Sequence, residues 1–137
     1  MVSQNETANH IDTRETLDKP DFTGNMESGS SFSGGPFKLY ILTRRPISSA
    51  EIKGEYVEGV FTEEDNRFGL VMLTGVVGND LQLHRDAIRF IASNTRNDMR
   101  IVFWGFLDEE TGIYNGNYKK KKNTSDSGKF QLKMSSK

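Results

Sequence analysis

Between Phe37 and Met134 lies a series of runs in which apolar residues recur at every second position, the periodicity of strands with one buried face. Phe37, Leu39 and Ile41 form one such run, and Phe130, Leu132 and Met134 form the last. With Phe22–Met26 added, the pattern predicts eight strands near 22–26, 37–43, 52–61, 67–77, 80–85, 100–107, 113–119 and 129–135. Turn-forming stretches separate them, and Gly78-Asn79 reads as a tight hairpin. One segment breaks the period. Over Asp86–Asn94, Ile88, Ile91 and Ala92 share a helical face and Asn94 is a stop signal, so one short helix is predicted near 86–93.

A smaller pattern sits inside the strands, apolar-x-Gly-x-apolar. It is carried by Gly24, Gly54, Gly75, Gly105 and Gly116. Glycine weakens a strand unless the geometry needs it, and closing a small barrel does. Eight antiparallel strands joined in order remove their own edges by closing. The fold class predicted is therefore all-β, an eight-stranded antiparallel up-and-down barrel. Gly24 and Gly54 are spaced like Gly75 and Gly105, which suggests two similar four-strand halves.

Assigning the glycine-bearing register to the interior buries Phe37, Leu39, Ile41, Ile52, Tyr56, Val71, Leu73, Val77, Ile101, Phe103, Leu107, Tyr114, Tyr118, Phe130, Leu132 and Met134. The opposite register is polar, with Thr23, Asn25, Lys53, Glu55, Asn115, Asn117, Gln131 and Lys133. Two strands depart from this. Phe68, Leu70 and Met72, and Val102, Trp104 and Phe106, place apolar rows outside, read either as a surface covered by a helix, the tail or another subunit or as strands whose local face is misassigned or re-registered by a bulge.

The order Phe22-Thr-Gly24, Ile52-Lys-Gly-Glu-Tyr56, Leu73-Thr-Gly75, Trp104-Gly-Phe106, Tyr114-Asn-Gly-Asn-Tyr118 and a closing Gly128-Lys-Phe-Gln-Leu132 strand resembles the calycin-type small barrels, avidin-like and lipocalin-like, over about residues 21–135. The resemblance implies a meander barrel that binds a small ligand. It does not extend to biotin. Avidin-type pockets use several tryptophans, and this chain has one, Trp104. The lipocalin Gly-x-Trp is replaced by Gly24-Asn25-Met26.

Composition sharpens the outline. The 137 residues suit one domain, and 34 % hydrophobic content with a mean hydropathy of −0.62 leaves part of the chain outside any core. Up to residue 35 there are six acids against two bases, and beyond it thirteen against sixteen. Residues 1–20 read as a disordered acidic tail, 21–137 as the barrel domain, and 27–36 as a Gly/Ser loop. No apolar run is long enough to cross a membrane as a helix. Cysteine is absent, which excludes disulfides, thiol nucleophiles and Cys-based metal sites. With no apolar leader at the start, a cytoplasmic setting is expected, and Lys119–Lys122 offers a nuclear address.

Catalytic signals are sparse. His84 stands beside Arg85 and Asp86, in a pattern more common at a surface than in general-base catalysis. The acids of Glu63–Asp65 and Asp108–Glu110 lack the spacing of a calcium loop. Neither a metal nor a cofactor is expected, and nucleic-acid contact through the lysine run is a minor expectation. Two surfaces carry the functional expectation. Tyr56, Phe103, Tyr114 and Tyr118 are the candidate ligand-binding residues of the barrel interior. Leu70, Met72, Trp104 and Phe106 are the candidate face for a protein partner or a second copy. A non-enzymatic binding module for a small apolar or amphipathic ligand, or for a protein, is the first reading. A barrel cyclase or isomerase and a β-barrel inhibitor are the alternatives.

Overall fold

A computed structural model describes residues 19–28, 34–63, 71–94, 98–121 and 125–135. Its strands are β1 (Phe22–Met26), β2 (Gly35–Ser48), β3 (Ile52–Glu63), β4 (Val71–Asp80), β5 (Arg85–Asn94), β6 (Met99–Asp108), β7 (Ile113–Lys121) and β8 (Ser125–Met134). Each pairs antiparallel with the next, and β1 pairs with β8, closing an eight-stranded up-and-down barrel. No helix occurs among the described residues. The acidic-tail reading of residues 1–18 lies outside them.

The predicted helix is a strand. Ile88, Phe90, Ala92 and Asn94 point inward at period two along β5, while Ile91 lies half-buried on the outer face. β4 and β6 both need a hydrogen-bonded neighbour, and β5 supplies it along its length. The strand expected at 80–85 is instead the end of β4 and a turn. There the Asp80 carboxylate accepts the amides of Gln82 (3.0 Å) and Leu83 (2.9 Å), and the His84 amide donates to the Asp80 carbonyl (2.8 Å). His84 adopts φ 56°, so it is an exposed turn residue. Gly78 and Asn79 lie within β4, and Gly78 faces Gly54 across the ladder.

The lumen is filled by rings. Phe103 lies 5.4 Å from Phe37, 6.0 Å from Phe61, 6.3 Å from Tyr118 and 5.2 Å from Phe130 between ring centroids. Phe22 leans edge-on against Phe90 and Tyr114 toward one end. These spacings are those of favourable aromatic contacts, and the side chains involved are nearly all sealed from solvent. A barrel of eight strands is just narrow enough for side chains to fill it.

The inner face of β3 is Val57, Gly59 and Phe61, so Gly54 and Tyr56 face outward, while Ile52 on their parity is buried as expected but stands outside the lumen cluster. The cause is that β3 keeps one parity from Phe61 back to Lys53, so the glycine-bearing stretch falls on the other side. Gly54 therefore differs in orientation from Gly24, Gly75 and Gly105, and the two halves are not equivalent. The inner glycines do mark close approaches. A Cβ on Gly116 would stand 2.0 Å from the Trp104 carbonyl oxygen, and one on its partner Gly105 would stand 2.5 Å from that of Asn115.

Candidate functional site

The end of the barrel that carries the β2–β3, β4–β5 and β6–β7 turns opens into a recess of about 580 Å³. Its floor is Phe22, its walls include Val77 and Met134, and its rim carries Lys19, Asp21, Arg44 and Glu55. The size falls in the range of small-molecule sites.

A β-bulge builds this rim. The β2–β3 register shifts between Ile41 and Thr43, which leaves Leu42 as the extra residue. Before the bulge, odd-numbered residues of β2 point inward. After it, Arg44 pairs with buried Val57 and shares its face, while Arg45 turns out over the Tyr56 ring at 4.7 Å. Bulges re-aim side chains in this way. Arg44 then reaches Glu55 (2.9 Å) and Asp21 (3.3 Å).

Asp21 is held from all sides. Its amide donates to the Leu39 carbonyl, its carbonyl accepts from the Ser135 amide, and its carboxylate accepts from the Ile41 amide at 2.7 Å. One guanidinium therefore bridges a carboxylate fixed just before the closing strand and another on β3. Each of the three is partly exposed, so the bridge contributes little to stability. Its role is to set the charge of the rim.

Tyr114 points into the lumen below this end. Burial, and then the negative charge of Asp86, hold its hydroxyl above the ordinary tyrosine value of 10.0. A raised value means that the folded state favours the neutral phenol. Its contribution is therefore present in full below pH 10 and is lost as the pH rises through the folded value. The alkaline fall in stability should shrink in Tyr114→Phe, measured by urea unfolding from about pH 9 to about pH 11. An unchanged slope would show that Tyr114 does not titrate differently in the two states.

The expected site residues separate. Phe103 and Tyr118 are sealed in the middle of the lumen, and the Tyr118 hydroxyl donates to the Glu27 carbonyl at 2.5 Å. Tyr114 lies in the lumen near the open end. Tyr56 is on the outer face, where its hydroxyl bonds Glu58 at 3.1 Å.

Met72, Trp104 and Phe106 do face outward, and Leu70 lies outside the described residues. Arginines interrupt that face. The Arg85 guanidinium covers the Phe106 ring at 4.6 Å, and Arg89, beside Trp104, reaches Glu51 and Asp80. Strand alternation divides the lysine run, with Lys120 buried inward and Lys119 and Lys121 outward. Lys122 lies outside the described residues. Asp108 accepts the Glu110 amide at 3.0 Å and so organises its own turn.

Arg44, Asp21, Glu55 and the apolar floor were not singled out from sequence. Only the bulge brings Arg44 to the rim, and nothing in the Leu-Thr-Arg-Arg stretch signals a bulge. A comparison with protein-family models, curated proteins and solved structures found no match.

Proposed function

We propose that this barrel is a non-enzymatic binding module that takes a small amphipathic molecule in its open mouth. The observation that carries the reading is an apolar floor and wall of Phe22, Val77 and Met134 beside a ring of opposed charges, at the end of a lumen already filled by rings. The ligand's apolar body would lie on Val77 and Met134, and its polar end would meet Arg44, Asp21 and Glu55. With Lys19 included, the rim holds two bases and two acids, which suits a zwitterionic or uncharged head better than a full charge. The ligand therefore enters only the mouth, in contrast to the deep pocket that a calycin-type resemblance implies. Kinship with calycins agrees with the strand order and is part of the same proposal.

The test is titration of the full chain with three decyl amphipaths below their micelle concentrations: decylphosphocholine, decanoate and decyltrimethylammonium. The methyl signals of Val77 and Met134 are followed by NMR. Saturable shifts are expected, with decylphosphocholine binding most tightly. Arg44→Ala leaves Asp21 and Glu55 uncompensated and should move the preference to decyltrimethylammonium by about tenfold, with little change in stability. Met134 is half exposed, so Met134→Asp should fold and lose affinity for all three. Absence of saturable shifts at millimolar ligand, or indifference to both substitutions, would overturn the reading.

A further inference from the structure

The outer wall over β6, β7, β8 and β1 has a composition unusual for strands. Cross-strand register aligns its side chains in two rows. Trp104, Asn117 and Lys129 form one, which continues to Glu27 through the paired Lys129 and Glu27 backbones and the Lys129 amide donating to the Glu27 carboxylate. Phe106, Asn115, Gln131 and Asn25 form the other. Each row starts with an aromatic on β6; the second continues through three amides, and the first through one amide to a Lys–Glu pair. Asparagine is depleted in strands because its side chain competes for the backbone, yet here Asn25, Asn115 and Asn117 flank two of the strand glycines. Asn25, Asn115, Asn117, Gln131, Lys129 and Glu27 line a second recess, of about 510 Å³, floored by the backbone at Gly116 and Phe130, and Trp104 flanks it beside Asn117.

We infer that this wall is a binding site for a neutral oligosaccharide. A carboxamide presents a donor and an acceptor side by side, the pattern that neighbouring sugar hydroxyls require, and four such groups stand together here. A pyranose also has a face of C–H groups, which rests against an aromatic ring face carrying partial negative charge. Trp104, 39 % exposed, offers that ring directly beside Asn117.

Among the described residues that line the recess, Lys129 is the one base and Glu27 the one acid, so the recess itself is balanced in charge, and the outward lysines Lys119, Lys121 and Lys133 lie beyond its lining on the same wall. From Trp104 to Glu27 the rows span four strands, about 14 Å at the usual strand spacing, which fits two or three sugar rings. This site is separate from the mouth and shares none of its residues.

Trp104 is the chain's single tryptophan, so its emission reports the site alone. The full chain is titrated with cellotriose, maltotriose, mannotriose and triacetylchitotriose, with calorimetry in parallel. A saturable change in Trp104 emission with at least one of these is expected. Affinity should fall at least tenfold in Trp104→Ala, read by calorimetry, and in Asn115→Ala/Asn117→Ala, read by both methods. All these side chains are exposed or border solvent, and an unchanged unfolding midpoint confirms the fold. Arg44→Ala should bind the sugar as the parent does. The inference is overturned if none of the four trisaccharides binds at tens of millimolar. It is equally overturned if the substitutions leave affinity unchanged, or if Arg44→Ala abolishes sugar binding, which would place the sugar at the mouth.

Discussion

Phe103→Ala should lower the unfolding free energy by about 3–5 kcal/mol, a large share of the 5–15 kcal/mol typical of a domain. Phe103 sits where four other rings meet, at centroid distances of 5.2–6.3 Å, and is only 2 % exposed. Those rings belong to β2, β3, β7 and β8, which lie on different sides of the barrel. Collapse into the gap would require closed, hydrogen-bonded walls to move together, so most of the cavity would persist. Guanidinium unfolding of the parent and the variant measures the difference. A loss below about 1 kcal/mol would mean that the lumen is loosely packed and able to hold a ligand in its centre. Phe106 on the same strand, half-buried under Arg85 on the outer wall, gives the contrast, since Phe106→Ala removes less buried area.

Gly116→Ala is the second large effect, and its cause is different. The added methyl would stand 2.0 Å from the Trp104 carbonyl oxygen and 2.5 Å from the Gly105 Cα. Both are backbone atoms of the neighbouring strand, so no rotamer change relieves the contact, and β6 and β7 must separate. Overpacking of this kind costs about 1–3 kcal/mol and more where backbone resists. Gly128→Ala is the control. Its nearest neighbour is the Tyr118 ring at 2.9 Å, a side chain and not the backbone of the next strand. Thermal unfolding of the two variants should rank Gly116→Ala as the more damaged. Equal losses would show that the strand glycines act through propensity and not through the approach of β6 to β7.

The barrel could be read from the sequence because burial on one face writes period two into each strand, and seven of the eight elements carry it plainly. β5 was misread because Ile88, Ile91 and Ala92 satisfy a helical spacing as well as Ile88, Phe90 and Ala92 satisfy a strand one. The choice between them depends on β4 and β6 lacking a neighbour, which is a property of the sheet. Tyr56 was misplaced for a related reason. Ile52-Lys-Gly54-Glu-Tyr56 has the apolar pattern, but Val57 and Phe61 on the other parity are the residues that meet the core. The mouth was not legible because it depends on one unpaired residue, Leu42, which reverses the facing of the residues that follow it in β2. The amides of the outer wall were legible as outward-facing residues. Their alignment into rows requires the register of four strands.

The barrel is closed by its shortest strand. β1 has five residues, against fourteen in β2, and it alone joins β2 to β8. It brings Phe22 beside Met134, so the ring is completed by residues from opposite ends of the domain. Such contacts carry the greatest loop-closure cost, so they are expected to form after the seven-stranded open sheet. Until that latch engages, the sheet presents two unpaired margins, the kind of edge that strand exchange between copies uses. Asp21, through its carbonyl and carboxylate contacts to Ser135, Ile41 and Arg44, fastens the latch at the same point where the mouth is formed. Completing the fold and completing the recess are therefore one event.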